Sequence, residues 1–173
     1  MKIAYTLLVL FMLVSASVPS TPDLGKAEGR CRPTEPGPAL LVDVIGLKDR
    51  RGKLKLEVYP ATDTDFLSDD NVLVEQGKTF RRVEAPAPAA GPVQLCVRVP
   101  HAGSYAVSLL HDRDMNRKFG WTVDGIGFAS NPKLGFSKPR AREARVIAGP
   151  GLTRIPIVLN YRRGLGVAPL GSR

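Results

Sequence analysis

The clearest alternation in the chain is the stretch Lys53-Leu54-Lys55-Leu56-Glu57-Val58-Tyr59. Apolar and polar residues take turns along it, which is the pattern of a β-strand with one face on a core. The pattern predicts that the two leucines and the valine face the core. It also predicts that the two lysines and Glu57 lie in water.

Several other stretches predict strands around this one. An apolar run at 40–47 precedes it, and the turn composition of Asp49-Arg50-Arg51-Gly52 predicts that the two strands form a hairpin. Further strands are expected at 93–99, at 104–110 and at 153–161, with one or two weaker ones in 72–83. Pro156 lacks an amide hydrogen, which favours an edge position for the last of them. About seven short strands without a long helix predict an all-β fold, an antiparallel β-sandwich of immunoglobulin-like or transthyretin-like type.

The length and composition fit one domain. The chain has 173 residues, of which 43% are hydrophobic, so it can bury a real core. We place the sandwich domain at 39–161. Residues 17–38 are rich in proline, glycine and charge and predict an extended arm, whereas residues 162–173 predict a basic flexible tail.

The first sixteen residues predict a secretory signal peptide, residues 1–16. Met1-Lys2 is a short positive start, the run to Val14 is apolar apart from Thr6, and Val14-Ser15-Ala16 offers the small residues of a cleavage site. The apolar run is too short to span a bilayer, which takes about 20 residues. We therefore expect an exported protein that is not an integral membrane protein.

The two cysteines, Cys31 and Cys96, predict a disulfide bond, because exported proteins rarely keep free thiols. Alternation along 93–99 places Cys96 on the face opposite the apolar residues. The bond would then fasten the arm across the outside of a sheet.

Two motifs carry a family resemblance. The stretch from His111 to Lys118 and the stretch Gly125-Ile126-Gly127-Phe128-Ala129-Ser130-Asn131 resemble the H-D-x-N-x-N-x-K and G-x-G-F-S-N signatures of an uncharacterised bacterial family, domain of unknown function 2141. Pro100, Gly103 and Tyr105 similarly resemble the late hairpin of transthyretin-like and carboxypeptidase-regulatory-like sandwiches. The resemblance implies an exported single-domain β-sandwich, periplasmic or secreted, in a Gram-negative bacterium. It implies no activity.

A polar corner follows the strand at 104–110. Asp112, Asp114 and Asn116 alternate as the first three ligands of a calcium loop do, but the sixth position is Arg117 instead of glycine. A polar turn that bonds local amides is the favoured interpretation, and weak calcium binding is the alternative. His111 continues the core-facing side of its strand, which favours a hydrogen-bonded residue at the rim of the core over a catalyst.

Four aromatic residues, Phe119, Trp121, Phe128 and Phe136, are interleaved with glycines in the following stretch. They form either a cover over the open end of the core or an exposed binding platform, and packing is the favoured interpretation. His111, Asp112, Asp114, Asn116, Trp121 and Phe128 are therefore the candidate ligand loop.

The positive charge is concentrated at the end of the chain. The net charge is +9, and nine basic residues stand against one acidic residue from Lys133 to Arg173. Arg140, Arg142 and Arg145 form the candidate basic surface, and an acidic lipid, an acidic polysaccharide or another envelope protein is the expected partner in place of nucleic acid. A merely solvated strand face is the alternative.

These patterns favour a non-catalytic exported binding or structural module without a cofactor. The chain has no nucleophile elbow, P-loop or zinc ligand set, so no catalytic residue is expected. The alternative is a small extracytoplasmic hydrolase or lyase that works at the corner of His111, Asp112 and Asp114.

Overall fold

The structure, a computed structural model, describes residues 18–32 and 34–171. The predicted signal peptide lies outside the described residues, and so does Arg173. Within the described part, no helix is long and apolar enough to cross a membrane.

The described residues form ten strands, one short α-helix and one 3₁₀ turn. In chain order the elements are β1 (Ala39–Ile45), β2 (Lys53–Pro60), α1 (Asp70–Glu75), β3 (Arg81–Pro86), β4 (Val93–Arg98), β5 (Gly103–Asp112), β6 (Gly125–Phe128), the 3₁₀ turn (Ala141–Ala144), β7 (Arg145–Ala148), β8 (Leu152–Val158), β9 (Asn160–Arg163) and β10 (Gly166–Pro169).

The strands form two sheets, which confirms the all-β sandwich. The small sheet has the order β4-β1-β8, with β1 and β8 parallel. The large sheet has the order β10-β9-β6-β5-β2-β3, and β7 also pairs with β5. The immunoglobulin-like or transthyretin-like subtype stays a prediction.

The main core lies between the two sheets. The face of the large sheet that points to it, here called the inner face, carries the three predicted core residues of β2 together with Val107 and Leu109 of β5. The small sheet covers them with Leu40, Val97 and Ile157. Alternation along β2 therefore predicted the inner face correctly.

The predicted hairpin of 40–47 with 53–59 is wrong. Strand β1 pairs with β4 and β8, whereas β2 pairs with β3 and β5. Strands β4 and β5 likewise belong to different sheets. In both cases the turn carries the chain from one sheet to the other, because each strand buries its apolar face from the opposite side of the core.

Two further expectations are corrected. Residues 72–83 do not form only strands, since α1 includes Val72 and β3 begins at Arg81. Residues 162–173 are not a flexible tail throughout, since β9 and β10 pair as an antiparallel hairpin in which Arg162 is opposite Val167. The hairpin continues the large sheet because Tyr161 is buried in the core and holds its strand in place.

The arm lies along the side of the sandwich where β3 and β4 are edge strands. The amide of Ala27 donates to the carbonyl of Arg82 at 2.7 Å, and the amide of Arg82 donates to the carbonyl of Gly25 at 2.7 Å. Cys31 and Cys96 form a disulfide with their Cα atoms 5.7 Å apart. The arm thus covers one exposed strand edge and is fastened to the other sheet.

Candidate functional site

The opposite face of the large sheet, here called the outer face, carries a second apolar cluster. Helix α1, the segments on either side of it and the segment at 131–144 cover part of this face. Its buried members are Tyr59, Phe66, Leu73, Phe80, Ala106, Phe128, Ala141 and Ala144. The outer face is therefore not a solvated surface, although alternation along β2 suggested one.

An open groove of about 520 Å³ remains where this cover is incomplete. Its floor is formed by outer-face residues of β2, β5 and β6. Its walls come from the segments at 119–121 and 134–139 and from β10. The lining consists of Lys55, Glu57, Leu67, Ser108, Leu110, Phe119, Trp121, Ile126, Phe128, Leu134, Gly135, Phe136, Ser137, Lys138, Pro139, Gly166 and Val167.

The four aromatic residues divide between packing and exposure. Phe128 lies on β6 and is buried, with its ring edge-on to Phe66 at a centroid distance of 5.8 Å. Phe119, Trp121 and Phe136 are 43%, 41% and 92% exposed, and all three line the groove. Phe128 is therefore packed, whereas the other three rings are exposed at the groove; whether they form a binding platform stays a prediction.

The expectation that Lys55 and Glu57 lie in water is wrong. Their side chains are 14% and 9% exposed. Glu57 Oε1 accepts a hydrogen bond from Arg82 Nε at 2.9 Å, and Glu57 Oε2 accepts one from the Tyr59 hydroxyl at 2.9 Å. Lys55 Nζ lies 3.3 Å from Glu57 Oε1 and donates to the carbonyl of Arg117 at 3.0 Å. Neighbouring charges compensate each other here, which is what allows burial under the loops.

The same charged cluster reaches helix α1. Arg82 Nη2 donates to Asp70 Oδ2 at 2.9 Å, and both side chains are almost completely buried. Burial raises the pKa of the Asp70 carboxyl, but hydrogen bonds from Ser20 and Arg82 outweigh burial and leave that pKa below its usual value. Burial, followed by the charge of Glu57, raises the pKa of the Tyr59 hydroxyl. Both groups therefore keep their ordinary charge at neutral pH.

His111 is completely buried on the inner face. Its Nε2 lies 2.8 Å from the carbonyl of Arg51, so this nitrogen must carry the proton. Its Nδ1 then accepts a hydrogen bond from the Tyr161 hydroxyl at 2.7 Å, and that hydroxyl also accepts one from the amide of Lys48. Burial lowers the pKa of His111 and raises the pKa of Tyr161 to about 12. The structure therefore places His111 as a neutral hydrogen-bonded residue within the core.

The polar corner beside His111 contains a residue that the sequence analysis missed. One carboxylate oxygen each from Asp112, Asp114 and Asp124 lies within 4.8 Å of the others. Asp124 has no recognisable spacing to the other two, and only the return of the chain at β6 brings it close. The side-chain amide of Asn116 donates to Asp114 Oδ2 at 2.8 Å.

The oxygens of this corner accept hydrogen bonds from the local backbone. Asp112 accepts from the amides of Asn116 and Arg117 at 3.1 and 2.9 Å. Asp124 accepts from the amides of Arg113 and Gly120 at 2.8 and 2.7 Å. This is the geometry of a polar turn, the interpretation that the sequence favoured over calcium binding.

The glycine-rich motif at 125–131 has a packing explanation. A Cβ atom at Gly125 would lie 2.3 Å from the ring of Tyr161, and one at Gly127 would lie 2.7 Å from the carbonyl oxygen of Val158. Asn131 then donates to the carbonyl of Pro156 at 3.1 Å and accepts from the amide of Val158 at 2.7 Å. Strand β8 lies at an edge, as Pro156 predicted, and Asn131 bonds to part of that edge.

The candidate basic surface is exposed. Arg140, Arg142 and Arg145 lie on or beside the 3₁₀ turn that helps to cover the outer face. Arg154 pairs with Asp43 instead, and the Arg162 guanidinium stands over the ring of Trp121 at 4.6 Å from the centroid. The positive charge of the C-terminal region is therefore divided between the exposed candidate basic surface and Arg162, which stands over the groove residue Trp121.

Comparison with known proteins gives one match. Residues 42–155 match the family described as uncharacterized protein conserved in bacteria, domain of unknown function 2141. No curated protein and no solved structure matches the chain.

Proposed function

The chain belongs to the bacterial family called domain of unknown function 2141, and we propose that it is an exported, non-catalytic binding protein. Its ligand places an apolar part in the groove on the outer face of the large sheet. Export is supported by the signal-like first sixteen residues and by the disulfide between Cys31 and Cys96. N-terminal sequencing of the mature protein tests export, and a retained Met1 would contradict it.

The observation that carries the proposal is the exposure of three aromatic rings around one concave apolar site. A groove of about 520 Å³ lies within the range of about 300–1,000 Å³ that is typical of small-molecule sites. Phe136 is 92% exposed although it borders a large apolar cavity. Exposure of such a ring to water is unfavourable in the free protein. An apolar ligand that covers the ring removes this unfavourable contact with water.

The main core is complete without these three rings. Phe119, Trp121 and Phe136 belong to neither of the two buried apolar clusters, whereas Phe128 does. A purely structural role leaves their position on one groove unexplained. Binding accounts for both their exposure and their convergence.

The proposal is tested with the neutral apolar dye N-phenyl-1-naphthylamine. We expect saturable binding with dye fluorescence enhancement and quenching of Trp121. Phe136→Ala should weaken binding by about 10- to 150-fold, because burying one phenylalanine against a ligand contributes about 1.5–3 kcal/mol. The thermal melting temperature should stay unchanged, since Phe136 is exposed.

The matched control is Ile147→Ala, which removes a side chain that is 68% exposed and lies on β7 outside the groove lining. We expect wild-type dye affinity for this variant. The proposal is wrong if the dye does not bind, or if the two variants lose affinity equally.

The alternative is a hydrolase or lyase at the corner of His111, Asp112 and Asp114. One observation favours it, namely that burial raises the pKa of the Asp112 carboxyl. Two observations support the binding proposal instead. The groove lining includes none of these three residues, and both ring nitrogens of His111 have partners within the protein.

A further inference from the structure

We infer that the ligand of the groove is a single-chain amphiphile with an acidic head group, and that the ammonium group of Lys138 holds this head. The inference rests on the proposed function, since it names the class of ligand for the same groove. It follows from the distribution of charge around an otherwise apolar lining.

The floor of the groove presents no free negative charge. Glu57 is the acidic residue of the lining. Its Oε1 accepts a hydrogen bond from Arg82 and lies beside the Lys55 ammonium, and its Oε2 accepts a hydrogen bond from the Tyr59 hydroxyl. A cationic head group would have to displace these partners from a buried carboxylate. The groove therefore disfavours the binding of positively charged ligands.

The cation at the wall is uncompensated. Lys138 is exposed, and its Nζ donates to the carbonyl of Phe66 at the long distance of 3.4 Å. Among the described residues, no carboxylate oxygen lies within 4.0 Å of this ammonium. An acidic group would give Lys138 a charge-assisted hydrogen bond that the free protein lacks.

A second cation strengthens the positive potential at another wall. Arg162 lies opposite Val167, which lines the groove, and its guanidinium stands over Trp121. In the described part of the chain this guanidinium also has no carboxylate within 4.0 Å. The walls thus combine apolar surface with positive charge, which complements a molecule with an apolar tail and an acidic head.

A ligand with one apolar chain fits the groove volume of about 520 Å³ and the mainly apolar lining. The apolar walls Leu67, Leu134, Phe136 and Val167 surround a single cavity, and Lys138 follows Phe136 by two residues. The tail then packs on the aromatic and aliphatic walls while the head stays beside the exposed ammonium. This arrangement lets the acidic group keep part of its hydration.

The experiment compares three probes with the same ten-carbon chain and different heads. Decanoate, 1-decanol and decyltrimethylammonium are titrated as monomers while the fluorescence of Trp121 is recorded. We expect decanoate to bind about tenfold more tightly than decanol, as one charge-assisted hydrogen bond implies, and decyltrimethylammonium to bind most weakly.

Variants then test the position of the head. Lys138→Gln should abolish the preference for decanoate over decanol, whereas Lys138→Arg should keep it. The matched control is Arg30→Gln, which removes an exposed cation from the arm beside Cys31, on the side of the small sheet. It should leave the preference unchanged.

The outcomes separate this inference from the proposed function. Binding of the neutral dye together with equal affinity for the three probes would overturn the inference and leave the proposed function standing. A preference for decanoate that survives Lys138→Gln would overturn the assignment to Lys138. Association with vesicles of phosphatidylglycerol without binding of monomeric decanoate would overturn the single-chain ligand. If the neutral dye does not bind, the proposed function itself is wrong.

Discussion

The two faces of the large sheet are built from alternate residues of the same strands, yet different parts of the molecule cover them and to different extents. On the inner face Leu54, Leu56 and Val58 meet the small sheet and are fully buried. On the outer face the intervening Glu57 is also buried and Lys55 is partly buried, but beneath loops that leave a groove beside them. One face is closed for stability, and the other combines a compensated charge cluster with an opening. Stability and ligand binding should therefore be separable by substitution.

The largest expected effect lies on the outer face. Arg82→Leu removes the guanidinium that bonds to Glu57 and Asp70 and leaves two buried carboxylates without it. Loss of one partner from a buried ion pair costs about 3–5 kcal/mol, so the free energy of unfolding in urea should fall by that amount.

Two comparisons check the cause of this loss. Adding Glu57→Gln to Arg82→Leu should recover part of it, because one unpaired charge is then removed. The difference between wild type and Arg82→Leu should also narrow at acidic pH, where the remaining carboxylates can be protonated. A loss that is equal at pH 4 and pH 7 would show that packing, not charge, is responsible.

On the inner face, Leu56→Ala should cost about 2–5 kcal/mol of unfolding free energy by creating a cavity between the sheets. Urea denaturation measures the loss. Leu152→Ala, at an exposed position, is the control and should change stability by about 0.5 kcal/mol or less.

The affinity for the neutral dye should be the same in wild type, Leu56→Ala and Leu152→Ala. Leu56 faces the opposite side of the strand from the groove, so a cavity there should not move the groove walls. If Leu56→Ala abolishes dye binding while the protein stays folded, the two faces are coupled, and the separation of roles is wrong.

The sequence predicted one face of the large sheet better than the other, for a physical reason. Alternation identifies which residues of β2 share a side, and Leu54, Leu56 and Val58 were assigned correctly. It does not say whether the charged side is covered, because Lys55 and Glu57 are covered by segments far away in the chain. The partner Arg82 appears only once β2 and β3 are in register, which places it opposite Glu57.

Turn signals have a similar limit. Asp49-Arg50-Arg51-Gly52 lies in the connection between β1 and β2, but a hairpin turn within one sheet and a crossing between two sheets use the same residue types. The disulfide was easier, since two cysteines allow one intramolecular pairing. Asp124 and the part of the groove wall that β10 supplies, Gly166 and Val167, had no local signal, because both depend on the return of the chain at β6 and β10.

The inner face also carries a titratable group, and a smaller effect is expected there. The pKa of His111 is lowered by burial below its usual 6.5, so the unfolded chain binds more protons than the folded chain just below pH 6.5. Stability is therefore complete above that pH and falls as the pH drops through 6.5 toward the folded pKa. Each unit of lowering corresponds to about 1.4 kcal/mol.

Urea denaturation between pH 5 and pH 7.5 measures this dependence. His111→Gln should be less stable at neutral pH and should show a flatter slope across that range. His101→Asn is the control, since His101 is exposed, and it should keep the wild-type slope. A wild-type slope in His111→Gln would mean that another group is responsible.

The smallest expected effect lies where the two faces meet at the end of β5, with His111 on the inner side and Asp112 on the outer side. We expect no measurable rise in melting temperature when calcium is added at about 1 mM, the range of weak extracellular sites, after removal of divalent ions. The oxygens of Asp112 and Asp124 already accept backbone amides, and calcium would have to displace those hydrogen bonds. A rise in melting temperature that Asp112→Asn abolishes would contradict the polar-turn interpretation. It would also place a cation site on the outer face, separated from the groove lining, and the contrast between a closed inner face and an open outer face would then become sharper.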